Sequence, residues 1–320
     1  MTDGAVVRIG TRASELALRQ ARLVESAFER RGVAAEMKTF KTTGDKRLDE
    51  PLSAIGGKGL FTRELEVALG KGTVDCCVHS LKDLPTESPD GLVIAAVLAR
   101  EDPRDVIVLN SVIEAEGLHD IPRGSRIGTS SLRRRAQLLA LRPDLDVVEL
   151  RGNVPTRLRK VDDGQVHAAI LAAAGLHRLD ARQRISAYLD APQWLPAAGQ
   201  GAIAVQIRAA DARMADLVAG LNDPATMTAT RAERAFLAAL EGGCQVPIGA
   251  LVMDTQSGLV LFGLIARVNG REVVRGERPL DDGDPELTGV RLANDLRSRG
   301  ATEVLGTLRG VDRVPSPQPK

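Results

Sequence analysis

Gly128-Thr129-Ser130-Ser131 runs directly into Arg133, Arg134 and Arg135, and Arg151-Gly152-Asn153 with Arg157 repeats the arrangement further on. Between Arg126 and Lys160 there are nine Arg or Lys against three Asp or Glu, in a chain whose net charge is only +1. An arginine fork binds two carboxylate oxygens at once. Hydroxyls and backbone N–H groups at a helix start also suit an anion. Three arginines in a helix's first turn oppose the macrodipole unless an anion compensates them. A solvated basic face would explain one such arginine. Basic clusters at two successive strand-to-helix turns point instead to an anion site.

Lys82-Asp83 follows an apolar strand. A carboxylate there can move a proton or stabilise a developing cation, although a surface Lys-Asp pair has the same spelling. Gly56-Gly57-Lys58-Gly59 fails the phosphate-loop pattern, because Leu52 and Gly59 stand where Gly and Ser or Thr are needed. It reads equally as a substrate-facing loop or a glycine turn. Cys244 follows Gly242-Gly243, which give the backbone room to bring a thiol to a ligand; a small buried hydrophobe is the alternative. Cys76 and Cys77 lie in an apolar strand and read as core. His79 reads as a structural histidine, and the four histidines are too scattered to suggest a metal.

The elements that must hold these residues alternate. Val6–Ile9 reads as a strand, and Glu15–Arg31 as a helix with apolar residues at helical spacing, stopped by Gly32. Residues 34–42 and 74–78 read as strands, and 61–69 as a helix. This order implies a mostly parallel sheet. Glu101-Asp102-Pro103-Arg104-Asp105 is a polar break between lobes. Strands at 125–128, 147–150 and 168–173 then alternate with helices at 131–141 and 155–162. Pro196 to Gly201 forms a second break before the strand 202–207. A chain that leaves one α/β lobe and returns implies two lobes, a hinge and a cleft. Asp223-Pro224 starts a helix over 225–240. Asn269-Gly270 turns a hairpin between strands at 259–267 and 272–277, and 287–299 closes the chain as a helix.

The 320 residues are 43 % hydrophobic and 27 % charged, a globular balance. Near-neutral charge gives no bulk argument for nucleic acid or an anionic membrane. Seven aromatic residues in all are too few for rows of stacking platforms. The longest apolar run, Leu92–Ala99, is far short of a spanning helix, and the N-terminus lacks a signal-peptide pattern. Three cysteines make no disulfide framework. A cytoplasmic, multidomain enzyme is expected, and a monomer, since no exposed apolar stripe is apparent.

Together these segments resemble the porphobilinogen deaminase (hydroxymethylbilane synthase) family over nearly the whole chain. The resemblance is carried by Arg8–Arg12, Ile55–Phe61, Val78–Pro85, Arg100–Asp105, Gly128–Arg134, Leu150–Asn153, Pro196–Ala202 and, most specifically, Leu240–Gly249. It implies head-to-tail joining of four porphobilinogen molecules with loss of ammonia, then hydrolytic release of hydroxymethylbilane, in heme and other tetrapyrrole biosynthesis. It also implies a dipyrromethane cofactor in thioether linkage to Cys244, with Asp83 as the catalytic carboxylate. Implied cofactor contacts are Lys82, Asp83, Thr129, Ser130, Ser131, Arg133, Arg134, Arg151 and Gly152. Implied substrate contacts are Arg12, Ser14, Lys58, Arg157, Gln200 and Arg178. Ala54 departs from relatives that carry a second lysine there. The chemistry agrees with the residues: a two-ring primer plus four rings brings twelve carboxylates into one cleft. Loss of ammonia gives an electrophilic azafulvene, which a thiolate traps as a stable thioether.

The expected fold class is α/β, with two periplasmic-binding-protein-like lobes, a hinge and cleft, plus a small α+β C-terminal domain. The expected domains are 1–101 with 200–218, 102–199 and 219–320. A two-lobed anion-binding protein without catalysis would share the lobes and arginines but needs neither Asp83 nor the Gly-Gly-Cys loop. A phosphoribosyltransferase would need a phosphate loop and an acidic diphosphate motif, and neither is found.

Overall fold

A computed structural model describes residues 6–46, 59–240, 246–280 and 283–310. In chain order the elements are β1 (Val7–Arg12), α1 (Glu15–Glu29), β2 (Ala35–Phe40), α2 (Arg63–Gly70), β3 (Cys76–Ser80), β4 (Leu92–Val97) and β5 (Asp105–Leu109). Next come β6 (Arg126–Gly128), α3 (Leu132–Leu141), β7 (Asp146–Val148), α4 (Val154–Asp162), β8 (Ala168–Ala172), α5 (Ala173–Arg178) and β9 (Ala187–Leu189). Then follow β10 (Ile203–Arg208), α6 (Ala212–Ala219), α7 (Pro224–Ala239), β11 (Ile248–Thr255), β12 (Gly258–Ala266), β13 (Val273–Pro279), α8 (Pro285–Leu296) and α9 (Thr302–Gly310).

Three sheets result: β2-β1-β3-β10-β4, β7-β6-β8-β5-β9 and β11-β12-β13. The first two share one plan. In each, the first three strands are parallel in the order second, first, third. In each, a strand brought in by the crossing chain runs antiparallel between the third and the last. The expected mostly parallel sheet therefore fails at β5 and β10, because a strand entering from the other lobe arrives in the opposite direction. β5 and β10 are almost wholly buried, as continuous apolar runs covered on both faces should be.

The two crossings lie side by side. Arg100 Nε donates to Gln200 O at 2.9 Å, and Glu101 N–H to Gly201 O at 3.2 Å. Gly201 has φ +89, and a Cβ there would stand 2.3 Å from Glu101 O. Glycine is what lets the crossings approach.

The third sheet is an antiparallel meander on which α7 and α8 pack, with Phe236, Leu261, Ile265 and Leu292 in its core. Asp223 caps α7, its carboxylate accepting from Thr226 N–H at 2.7 Å, with Pro224 at the first helical position as expected from sequence. The fully buried Glu233 carboxylate of α7 takes both guanidinium nitrogens of Arg100 (2.6 and 2.9 Å) and the N–H groups of Gly199 and Val252. This one side chain joins the third unit to both crossings.

Candidate active site in the cleft between the lobes

Lys82 and Asp83 lie on a single 3-10 turn, Leu81–Asp83, directly after β3. Ser80 before them shares its hydroxyl with the Gln20 amide of α1 at 2.9 Å, which fixes the turn to the first lobe. Leu81 is buried beneath it. The second lobe contributes two neighbouring turns at the carboxyl ends of the parallel strands β6 and β7, the expected place for ligands in an α/β sheet. In the first turn, Ser131 caps α3, Ser130 Oγ donates to Leu150 O at 2.9 Å, and Thr129 Oγ1 accepts from Ser131 N–H. In the second, Asn153 caps α4, Gly152 has φ +115, and Arg157 Nε donates to Gly152 O at 2.8 Å.

The macrodipole anomaly at α3 has its anion, but that anion belongs to the protein. Arg133 and Arg134 turn inward to the fully buried Asp105 carboxylate. Arg133 Nη1 reaches Oδ2 at 2.6 Å, and Arg134 Nη2 and Nε reach Oδ1 at 2.7 and 3.1 Å. Trp194 Nε1 and Gln200 Nε2 donate to the same carboxylate at 2.8 Å each. Burial would push the Asp105 carboxyl up, but the two guanidiniums outweigh it and hold it well below the usual carboxylate range. Arg133 is itself lowered, because burial and Arg134 exceed what one shared carboxylate returns. Asp105, expected in a polar break, is instead the first residue of β5 and the hub of this network. A carboxylate heading the apolar run Val106-Ile107-Val108 was the available signal. Arg133 and Arg134, expected as ligand contacts, both spend their guanidiniums on Asp105.

The network crosses the cleft. Lys82 Nζ donates to Gln200 Oε1 at 3.2 Å, and Gln200 passes the link to Asp105. Burial, then Arg134, pushes Lys82 down to about 8, while Asp83 and Asp105 oppose the shift. Burial, then Arg134 and Arg151, pushes Arg157 down to about 10, with Asp83 opposing. Lys82, Arg133, Arg134, Arg151 and Arg157 thus face two carboxylates, Asp83 and Asp105, with Glu149 4.0 Å from Arg151. Cations held this far from water call for further anionic oxygens. A dipyrromethane offers four carboxylates, and its pyrrole N–H groups suit Asp83, so the residues present fit that group.

Arg12 and Ser14 line a recess with Asp83. Arg12 stacks over Phe61 at 4.4 Å, while Ser14 caps α1. Arg178 sits at the hinge, donating to Gly201 O at 2.7 Å. Cys244, Lys58, Ala54, Gly56 and Gly57 lie outside the described residues. Leu240 and Ile248, on either side of the Cys244 segment, are buried in the core of the third unit. Among the described residues no His, Cys, Asp or Glu group could hold a metal ion, and no helix is long and apolar enough to cross a membrane.

Two α/β lobes around a cation-rich cleft with one carboxylate at its edge define a polyanion-handling protein. Residues 7–216 match the family described as "Porphobilinogen deaminase, dipyromethane cofactor binding domain", and residues 227–298 match "Porphobilinogen deaminase, C-terminal domain". The curated porphobilinogen deaminase of Moorella thermoacetica is 52 % identical over 301 residues, 93 % of this chain and 95 % of that one. That of Syntrophobacter fumaroxidans is 48 % identical over 307 residues, 95 % and 98 % of the two chains. The chain belongs to the porphobilinogen deaminase family. Among solved structures, the methionine binding protein MetQ aligns at a TM-score of 0.44 and 14 % identity over 75 % of this chain and 95 % of that one, a distant likeness without functional weight.

Proposed function

We propose that this chain is a hydroxymethylbilane synthase, a transferase. It joins four porphobilinogen molecules head to tail, releases ammonia at each step and frees the linear tetrapyrrole by hydrolysis. The observation that carries this reading is the surplus of buried cations facing Asp83 across the cleft. When bound, the dipyrromethane supplies the primer on which rings are added.

The protein's own residues do the rest. Cys244 anchors the primer, and Lys82, Arg134, Arg151 and the Thr129-Ser130-Ser131 and Gly152 turns hold its carboxylates. Arg133 acts through Asp105 as a positioning residue. Arg12, Ser14, Lys58, Arg157, Gln200 and Arg178 receive incoming and added rings. Charge-assisted contacts of this kind are each worth about 1.5–3 kcal/mol, so several shared ones hold a moving polyanion without trapping it. Asp83 accepts the pyrrole N–H and stabilises positive charge as it develops on that nitrogen. The three sheets support dividing the chain into 1–101 with 200–218, 102–199 and 219–320. A cytoplasmic monomer suits this chemistry.

The test is Asp83→Ala, assayed for turnover and for retained pyrrole mass. We expect bound pyrroles and a turnover lowered about 10²–10³-fold, the usual cost of losing one such electrostatic contact. Near-normal turnover would remove Asp83 from the reaction.

A further inference from the structure

Beneath the recess beside Asp83 lies a group of polar side chains that the ring-adding chemistry at Asp83 leaves unused. Thr62, Glu66, His79 and Gln206 carry five buried polar atoms without a hydrogen-bond partner: Thr62 Oγ1, Glu66 Oε1, His79 Nε2 and both amide atoms of Gln206. Thr62, His79 and Gln206 are nearly or fully inaccessible. Thr62 stands at the N-cap of α2, yet its hydroxyl makes no capping bond. Glu66, four residues on, shares its helix face. In the β3–β10 ladder Gln206 lies opposite Cys77 and Ala204 opposite His79, so Gln206 and His79 share one sheet face, and the small Ala204 leaves room beside His79. Unpartnered polar atoms cost about 1–3 kcal/mol each when isolated, and natural proteins keep them chiefly where they have work or hold water. Thr62 and His79 open the group to the outside, since both line the recess with Arg12, Phe61 and Asp83.

The reaction needs a proton held nearby. In each condensation the aminomethyl C–N bond breaks and a C–C bond forms to a pyrrole α-carbon. The proton of that carbon leaves, and ammonia departs with it as ammonium. Hydrolytic release runs the other way: a C–C bond breaks, water gives its hydroxyl to the methylene, and its proton returns to the α-carbon. We propose that Glu66, reached through Gln206, Thr62 and His79, is the proton store of this recess, taking up the α-proton during elongation and returning one at release. The proposal rests on the Asp83 reading above.

The surroundings suit such a group. Burial raises the Glu66 carboxyl, with Thr62 and Gln206 opposing. Burial pushes His79 down to about 4, with Arg12 of β1 adding to the shift, so its ring is neutral near pH 7 and can accept at one nitrogen while donating at the other. Cys77 of β3 is pushed well above its ordinary value, by burial first, and stays a thiol. Glu64 is bound to Thr43, and Arg208 of β10 to the carbonyls of Leu69 and Val74.

The experiment compares wild type, Glu66→Gln, Gln206→Leu and Asp83→Ala. Infrared spectra of the purified proteins should show a protonated-acid carbonyl band near neutral pH that Glu66→Gln lacks. Single-turnover release of hydroxymethylbilane should slow about tenfold or more in Glu66→Gln and Gln206→Leu, at the low end of what acid–base groups contribute. The pH dependence of release should flatten in Glu66→Gln, while its melting temperature holds or rises. Unchanged release and pH dependence with an inactive Asp83→Ala would overturn the proton store alone. Lowered melting temperature with unchanged rates would assign the group a structural role and also overturn it. Active Asp83→Ala would overturn the reading beneath it.

Discussion

Replacing Asp105 by alanine removes the acceptor for Arg133, Arg134, Trp194 and Gln200 together. Breaking a buried ion pair from one side costs about 3–5 kcal/mol, because the remaining charge stays buried and uncompensated. In this network two guanidiniums are left behind, each about 5 % exposed. The orphaned indole and amide donors add about 1–3 kcal/mol each where no water reaches them. These donors share one acceptor, so the terms do not sum; about 5 kcal/mol in all is the expectation. That is a large part of the roughly 5–15 kcal/mol that holds a domain folded. At about 2–4 °C per kcal/mol, the transition of the second lobe should fall by about 10–20 °C in scanning calorimetry. The pH dependence has a fixed sign. The Asp105 carboxyl is depressed in the folded chain, so its contribution is full above its unfolded value of 3.8 and is lost as pH falls below it. Asp105→Asn, which keeps the shape and drops the charge, should melt between the two and lose that acid dependence. A shift under about 3 °C for Asp105→Ala would refute the reasoning, since no repacking of two buried guanidiniums is that cheap.

Lys82 offers a test of the anion itself. It is lowered from 10.5 to about 8, so between those values the unfolded chain binds a proton that the folded chain does not, and stability rises with pH. The effect should appear in melting curves of unloaded Cys244→Ala protein and shrink in the loaded wild type, where carboxylates restore the ammonium; equal slopes would count against carboxylates at Lys82. Gly201→Ala forces a Cβ against Glu101 O at φ +89, so a loss of about 1–3 kcal/mol in chemical denaturation is expected, and a neutral variant would show that the crossings are not pinched there.

The fold is readable in the sequence where local rules dominate. Ser14, Ser131, Asn153 and Asp223 cap the helices expected after them, and the Asn269-Gly270 turn joins the expected strands. The closing helix, expected at 287–299, is Pro285–Leu296, two residues earlier at its start and three shorter at its end. Strands β4, β5, β9 and β11 and helices α5, α6 and α9 do not separate from their neighbours by pattern alone. β5 and β10 pair with strands of the lobe they enter, and no local pattern records an antiparallel partner far away in sequence. The cleft's cations are legible as an excess of charge. Their division of labour is not, because Asp105 meets Arg133 and Arg134 only through the sheet. The Glu66–Gln206–His79 group is hidden for the same reason: three elements bring it together, and each residue alone reads as ordinary.

The primer and its anchor are tested most directly by intact mass. The purified wild type and Cys244→Ala should be weighed before and after exposure to porphobilinogen. Two pyrrole units on the wild type alone, with further units added by substrate, is the expected result. A wild-type mass that matches the bare chain and never changes would leave a cation-lined cleft without its chemistry, and would contradict a primer anchored on Cys244.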